Sequence, residues 1–125
     1  MSIKIASLVC GLLLTAPASA DTAEALLGKC DKLDKTLTVQ GNNVTFNQDA
    51  ANMYCWGYLG ALEDASILSK TKGSDPLLQV CLPPGSTRTT LLRVFTEYAR
   101  KNPAQMKISA ADVVVAAFRQ AFPCR

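Results

Sequence analysis

Apolar residues recur at helical spacing over four stretches of the chain. Between Thr22 and Leu33 they are Ala23, Leu26, Leu27, Cys30 and Leu33, which places Cys30 on the inward face of a helix. From about Gln48 to Lys70 the main stripe is Ala51, Tyr54, Cys55, Tyr58, Leu59, Leu62 and Ala65. At about 100° per residue a second group, Met53, Trp56, Gly60 and Ile67, falls on the opposite side. A surface helix normally carries one stripe, so this helix is expected to be central in the fold or to bury its back against a partner. A third helix, capped by Ser86 or Thr87 and running to about Lys101, turns Leu91, Val94, Phe95, Tyr98 and Ala99 inward and Arg93, Glu97 and Arg100 outward. Ser109 opens the last, with Asp112 as a capping-box variant and an inner face of Val113, Val114, Ala117, Phe118 and Ala121.

The breaks between these stretches have their own chemistry. In residues 37–47, Gly41-Asn42-Asn43 is a turn signal between the strand-like pairs Thr38-Val39 and Val44-Thr45; a loop is favoured there over a small hairpin. Asn47 suits an N-cap, with Asp49 in the first turn and Phe46 as a hydrophobic staple. The run Lys72 to Pro76 ends the second helix, Pro76 to Cys81 has room for one helical turn, and Pro83-Pro84-Gly85 forbids continuation. Asn102-Pro103 stops the third helix. The fold class that follows is all-α, a single small disulfide-bonded bundle of four main helices. Gly57 and Gly60, mid-helix, each cost roughly 1 kcal/mol of helix propensity, a cost normally offset by close backbone approach of another element.

The first 20 residues stand apart from this domain. Lys4 is the only charge before Asp21, a short apolar run from Ile5 to Leu14 follows, and Ala18-Ser19-Ala20 is a small-x-small cleavage site. Residues 1–20 are therefore expected to be a cleaved signal peptide, with residues 21–125 as the mature domain in the periplasm. No second long apolar segment follows, so no membrane association is expected after cleavage. The basic residues are scattered, which argues against nucleic acid. Arg88, Arg93, Arg100, Lys101 and Lys107 are most simply a solvated surface.

Cleavage leaves Cys30, Cys55, Cys81 and Cys124, an even number suited to two disulfides in an exported domain. Their spacing does not fix the pairing; Cys55–Cys81 with Cys30–Cys124 is preferred because it ties both chain ends to the middle. With no histidine in the chain and no C-x-x-C pair, a zinc site is poorly supported. The same absence removes Ser-His-Asp and Cys-His nucleophile systems, and oxidised cysteines supply no thiolate. The expectation is a non-enzyme with no cofactor. Tyr54 and Tyr58 read as core, whereas Trp56, off the main stripe and flanked by Met53 and Ile67, has the character of an interface anchor.

The ordered set C-W-G-Y-L-G-x-L-x-D (Cys55 to Asp64), C-L-P (Cys81 to Pro83), L-x-x-V-F-x-x-Y (Leu91 to Tyr98), N-P and F-P-C (Phe122 to Cys124) resembles the Tai-type immunity proteins, periplasmic partners of amidase effectors delivered by type VI secretion. The resemblance spans about Leu26 to Cys124. It implies a helical fold, often a homodimer, that binds and occludes a peptidoglycan amidase. It also implies that a loop between late helices enters the toxin's groove; the matching positions are Asn102 to Ser109, with Gln105, Met106 and Lys107 as contact candidates beside Met53 and Trp56. The rival reading is a small periplasmic acid-stress chaperone or an envelope assembly protein.

Overall fold

The computed structural model describes residues 19–68 and 72–125. The leader expected over residues 1–20 lies almost wholly outside them. Helix α1 (Ala23–Thr36) is capped by Thr22, whose hydroxyl accepts the Ala25 amide. A hairpin of β1 (Thr38–Gln40) and β2 (Asn43–Thr45) follows, then α2 (Ala50–Ser66), α3 (Arg88–Lys101), a 3-10 turn (Pro103–Gln105) and α4 (Ala110–Ala121). The four helices are present, with α2 ending at Ser66 rather than near Lys70, but the domain is not strictly all-α. Residues 37–47 are a true two-stranded antiparallel hairpin, Val39 opposite Val44, with Gly41 at φ +59 in the turn and the Thr38 and Thr45 hydroxyls paired.

The core holds one continuous cluster. Leu26, Cys30 and Leu33 of α1, Cys55 and Leu59 of α2, Leu91, Leu92 and Phe95 of α3, and Val113, Val114 and Phe118 of α4 are all fully buried. Two helices are hubs, α1 and α3, each of which packs against all three others, whereas α2 touches mainly α1 and α3. The two-striped helix is thus not central, contrary to one branch of the sequence expectation.

The disulfides join Cys30 to Cys55 and Cys81 to Cys124. This overturns the preferred pairing of Cys55 with Cys81 and Cys30 with Cys124. The reason is local: Cys30 and Cys55 face inward on neighbouring helices with Cα atoms 5.2 Å apart. Cys81 lies where the segment before α3 bridges to the chain end, its amide donating to the Phe122 carbonyl beside the Val80–Pro123 bridge. Loop-closure entropy gives each bridge roughly 3 to 4 kcal/mol.

Capping differs from expectation at two helices. Asp49, not Asn47, caps α2 through the Asn52 amide at 2.9 Å, while the Asn47 carbonyl accepts the buried Asn52 side-chain amide. Ser109 makes no side-chain cap on α4; the first amide of that helix, of Ala110, donates to the backbone carbonyl of Asp21. Between α1 and α3, Arg100 pairs with Asp31, and the Thr96 hydroxyl donates to Asp34 at 2.9 Å, with Arg93 and Arg100 nearby. Some of the basic residues expected on a solvated surface therefore join helices.

Two outcomes follow from this architecture. Cys30 and Cys55 are fully buried, whereas Cys81 is exposed, so graded thiol under native conditions should open Cys81–Cys124 first. Alkylation and peptide mapping will check this; equal rates for the two bonds would contradict it. Ion pairs hold Asp31 (to Lys35 and Arg100) and Asp49 (to Lys32 and the Asn52 amide) below the ordinary carboxylate value of 3.8. A group whose folded pKa is depressed stabilises above its unfolded value and loses that contribution as pH falls through the folded one. Melting temperature should accordingly hold from neutral pH to about 5 and decline as pH drops through 4 and below, less steeply in Asp31→Asn.

Candidate partner-binding surface

Three regions offer themselves to a partner: the outer face of α2, the 102–109 segment, and a groove at Trp56. The outer face of α2 is built from Ala50, Met53, Tyr54, Gly57, Ala61 and Asp64, continuing into Ile67 and Leu68, all exposed. Asp64 is its one charge, where an outward helix face is normally polar. The Leu77 amide donates to the Leu68 carbonyl, adding Leu77 at the far end. Among the described residues, five of the seven large hydrophobics that stand exposed belong to this face and its extension. The sequence pattern expected Met53 and Ile67 here. Tyr54, read as core, is 43 % exposed, and Tyr58 is half-buried, its ring stacked on that of Tyr54 at 6.0 Å.

The two glycines of α2 have different causes. At Gly60 a Cβ would lie 2.6 Å from the guanidinium carbon of Arg88. That guanidinium covers the Trp56 ring at 5.1 Å, and its Nε donates to Glu63 at 2.9 Å. The close approach expected from sequence exists, but an arginine makes it. At Gly57 a Cβ would meet nothing within 4 Å among the described residues, so none of them explains that glycine. Gly57 and Ala61, four apart, leave the helix backbone bare.

Trp56 itself is half-buried, clamped between Arg88 and the Phe46 ring at 5.2 Å. It lines a cavity of about 460 Å³ between the hairpin and the start of α3, with Val39, Val44, Thr89 and Arg93 around it.

In the 102–109 segment the candidates separate. Gln105 is half-buried and accepts the Tyr98 hydroxyl at 3.2 Å, and Met106 packs against the core. Lys107 is exposed and pairs with Glu24 of α1. Ile108, 48 % exposed and absent from the sequence-derived candidates, is the apolar residue that this segment presents. The segment and the α2 face meet at Asp21. Its carboxyl is held below its ordinary value by the Tyr54 hydroxyl and by Lys29, which it meets at 3.2 Å, while its carbonyl takes the Ala110 amide. The same contact raises the Tyr54 hydroxyl pKa. Lys29 also lies 4.4 Å over the Tyr54 ring.

A family model described as Rap1a immunity proteins matches residues 22–124, essentially the whole folded domain. The chain belongs to the Rap1a immunity protein family. No curated protein and no solved structure matches it. Membership in an immunity family assigns the chain a protein effector as partner and fits surfaces built for binding. Among the described residues no cluster of side chains is suited to hold a metal ion.

The two glycines predict different responses. Gly57→Ala should stabilise the isolated chain by about 1 kcal/mol through helix propensity alone. Gly60→Ala should keep less of that gain, because the Arg88 guanidinium must shift against Trp56 and Glu63. Thermal or denaturant unfolding of both variants will decide, and equal stabilities would contradict the assignment.

Proposed function

We propose that this protein acts in the periplasm as an immunity protein that occludes a cell-wall amidase effector of type VI secretion, without catalysis of its own. The observation that carries the reading is the family match across residues 22–124. The export signal expected over residues 1–20 puts the protein where such an effector acts, and the motif order from Cys55 to Cys124 supports the amidase class. The 102–109 segment is the part that enters the effector's groove, with Ile108 and Lys107 as its leading side chains.

The α2 face serves a different purpose in this reading, the pairing of two copies. An antiparallel approach of two α2 helices centred between Gly57 and Ala61 is self-complementary, as a two-fold contact must be. It sets Asp64 of one copy against Tyr54 and Lys29 of the other, and lets the bare Gly57 backbone be covered. Small residues at the crossing point permit the close approach that larger ones forbid.

The test is direct. The exported, oxidised chain should abolish the activity of a Cys-His peptidoglycan amidase from its own strain at stoichiometric amounts. Ile108→Asp should weaken that inhibition tenfold or more, while Gly57→Leu should turn a dimer into a monomer in sedimentation. If the chain binds none of the strain's wall amidases, the immunity reading against this class fails.

A further inference from the structure

The first four residues of the domain do more than begin α1. A helix leaves the amides of its first turn without partners inside the helix. In α1 two of these are taken by the 102–109 segment: Ala23 donates to the Ile108 carbonyl and Glu24 to the Met106 carbonyl, both at 2.9 Å. The exchange runs both ways, since the Ala110 amide at the start of α4 donates to the Asp21 carbonyl at 2.8 Å and Thr22 bridges Ser109. Lys107 adds an ion pair to Glu24. Ala23 is fully buried against the core, so the line of contacts has a fixed base. On its other side Asp21 holds Tyr54 and Lys29 at the edge of the α2 face.

We infer that residues 21–24 form a strap that presets the pose of residues 106–110, which makes Asp21 and Ala23 positioning residues for partner recognition. The inference rests on the reading of the 102–109 segment as the effector-facing element. The strap satisfies the α1 first turn and the α4 first amide with the same few bonds, so the segment cannot swing away without exposing donors of both helices. A segment held in this way enters a groove without a further ordering cost, and loosening it should weaken association even where every contacting side chain is kept.

Two changes in the full-length exported chain test this. Ala23→Pro removes the donor to Ile108 while suiting the helix, because proline is favoured at the first helical position and Thr22 is already extended at ψ 156. In the chain cleaved after Ala20, deletion of Asp21 makes Thr22 the first residue, which removes the carbonyl that holds Ala110 and leaves the Thr22 cap in place. Amide exchange at Ala110 should accelerate at least tenfold in both, with core amides such as those of Leu59 and Phe95 unchanged. Affinity for the amidase that the native chain inhibits should fall about tenfold. Unchanged exchange at Ala110 overturns the strap outright. Faster exchange with affinity kept within twofold also overturns its positioning role, provided Ile108→Asp still weakens binding. If Ile108→Asp is itself without effect, it is the assignment of the 102–109 segment that fails, and the strap's part in recognition falls with it. Should Ala23→Pro disturb the buried core, the Asp21 deletion, which alters no buried side chain, decides alone.

Discussion

The packing of α1 and α3, each against all three other helices, is the constraint on which the rest of the molecule depends. Leu26, Cys30 and Leu33 contribute no exposed surface, and full burial of a leucine is worth roughly 1.5 to 3 kcal/mol. Because α1 faces α2, α3 and α4, its loss would uncover part of the inner face of each and leave the remaining packing to α3. Cys30–Cys55 fastens α1 to α2 from within the core, and the Asp31 and Asp34 pairs with Arg100 and Arg93 bind its outer edge to α3. These pairs lie partly in water, so they set orientation more than stability.

A domain stapled in this way can leave a helix face uncovered. With α2 held by α1 and α3, by the buried disulfide and by Arg88 across Gly60 and Trp56, its outer side is free of structural duty and carries Met53, Tyr54, Gly57 and Ala61. Asp21 then connects that face to the 102–109 segment through one side chain and one carbonyl. The exposed α2 face and the 102–109 segment thus meet at a single residue, Asp21. Membership in an immunity family calls for a surface that holds an effector, and rigid shape, which the two disulfides provide, serves that task.

Much of this was legible in the residues. The four helices, most of their inner faces and the turns at Pro83-Pro84-Gly85 and Asn102-Pro103 follow from periodicity and backbone chemistry, which act locally; Ala121, at the end of the α4 stripe, is exposed instead. The inward placement of Cys30 and Cys55 was visible too, and two cysteines on inner stripes of successive helices already pointed to their mutual bond; the preference for tying chain ends to the middle overlooked it. The hairpin at Thr38 to Thr45 has a weak local signal because its strands are three residues each, and Phe46 beside it packs on the distant Trp56. Tyr54 could not be told from core by spacing, since its exposure depends on which helices reach α2. Nor could the inward turn of Gln105 and Met106, which is set by Tyr98 and by α1 amides far away in sequence. Long-range contacts decide such features, and no local pattern encodes them.

The most direct test of the central claim is an amide-exchange footprint of the native oxidised chain with and without its effector. Recognition through the strapped segment predicts new protection across residues 103–109 and at the amides of residues 22–24, with the β1–β2 hairpin and the Trp56 groove unchanged. Protection confined to the hairpin and the start of α3, with 103–109 exchanging as in the free protein, would contradict it.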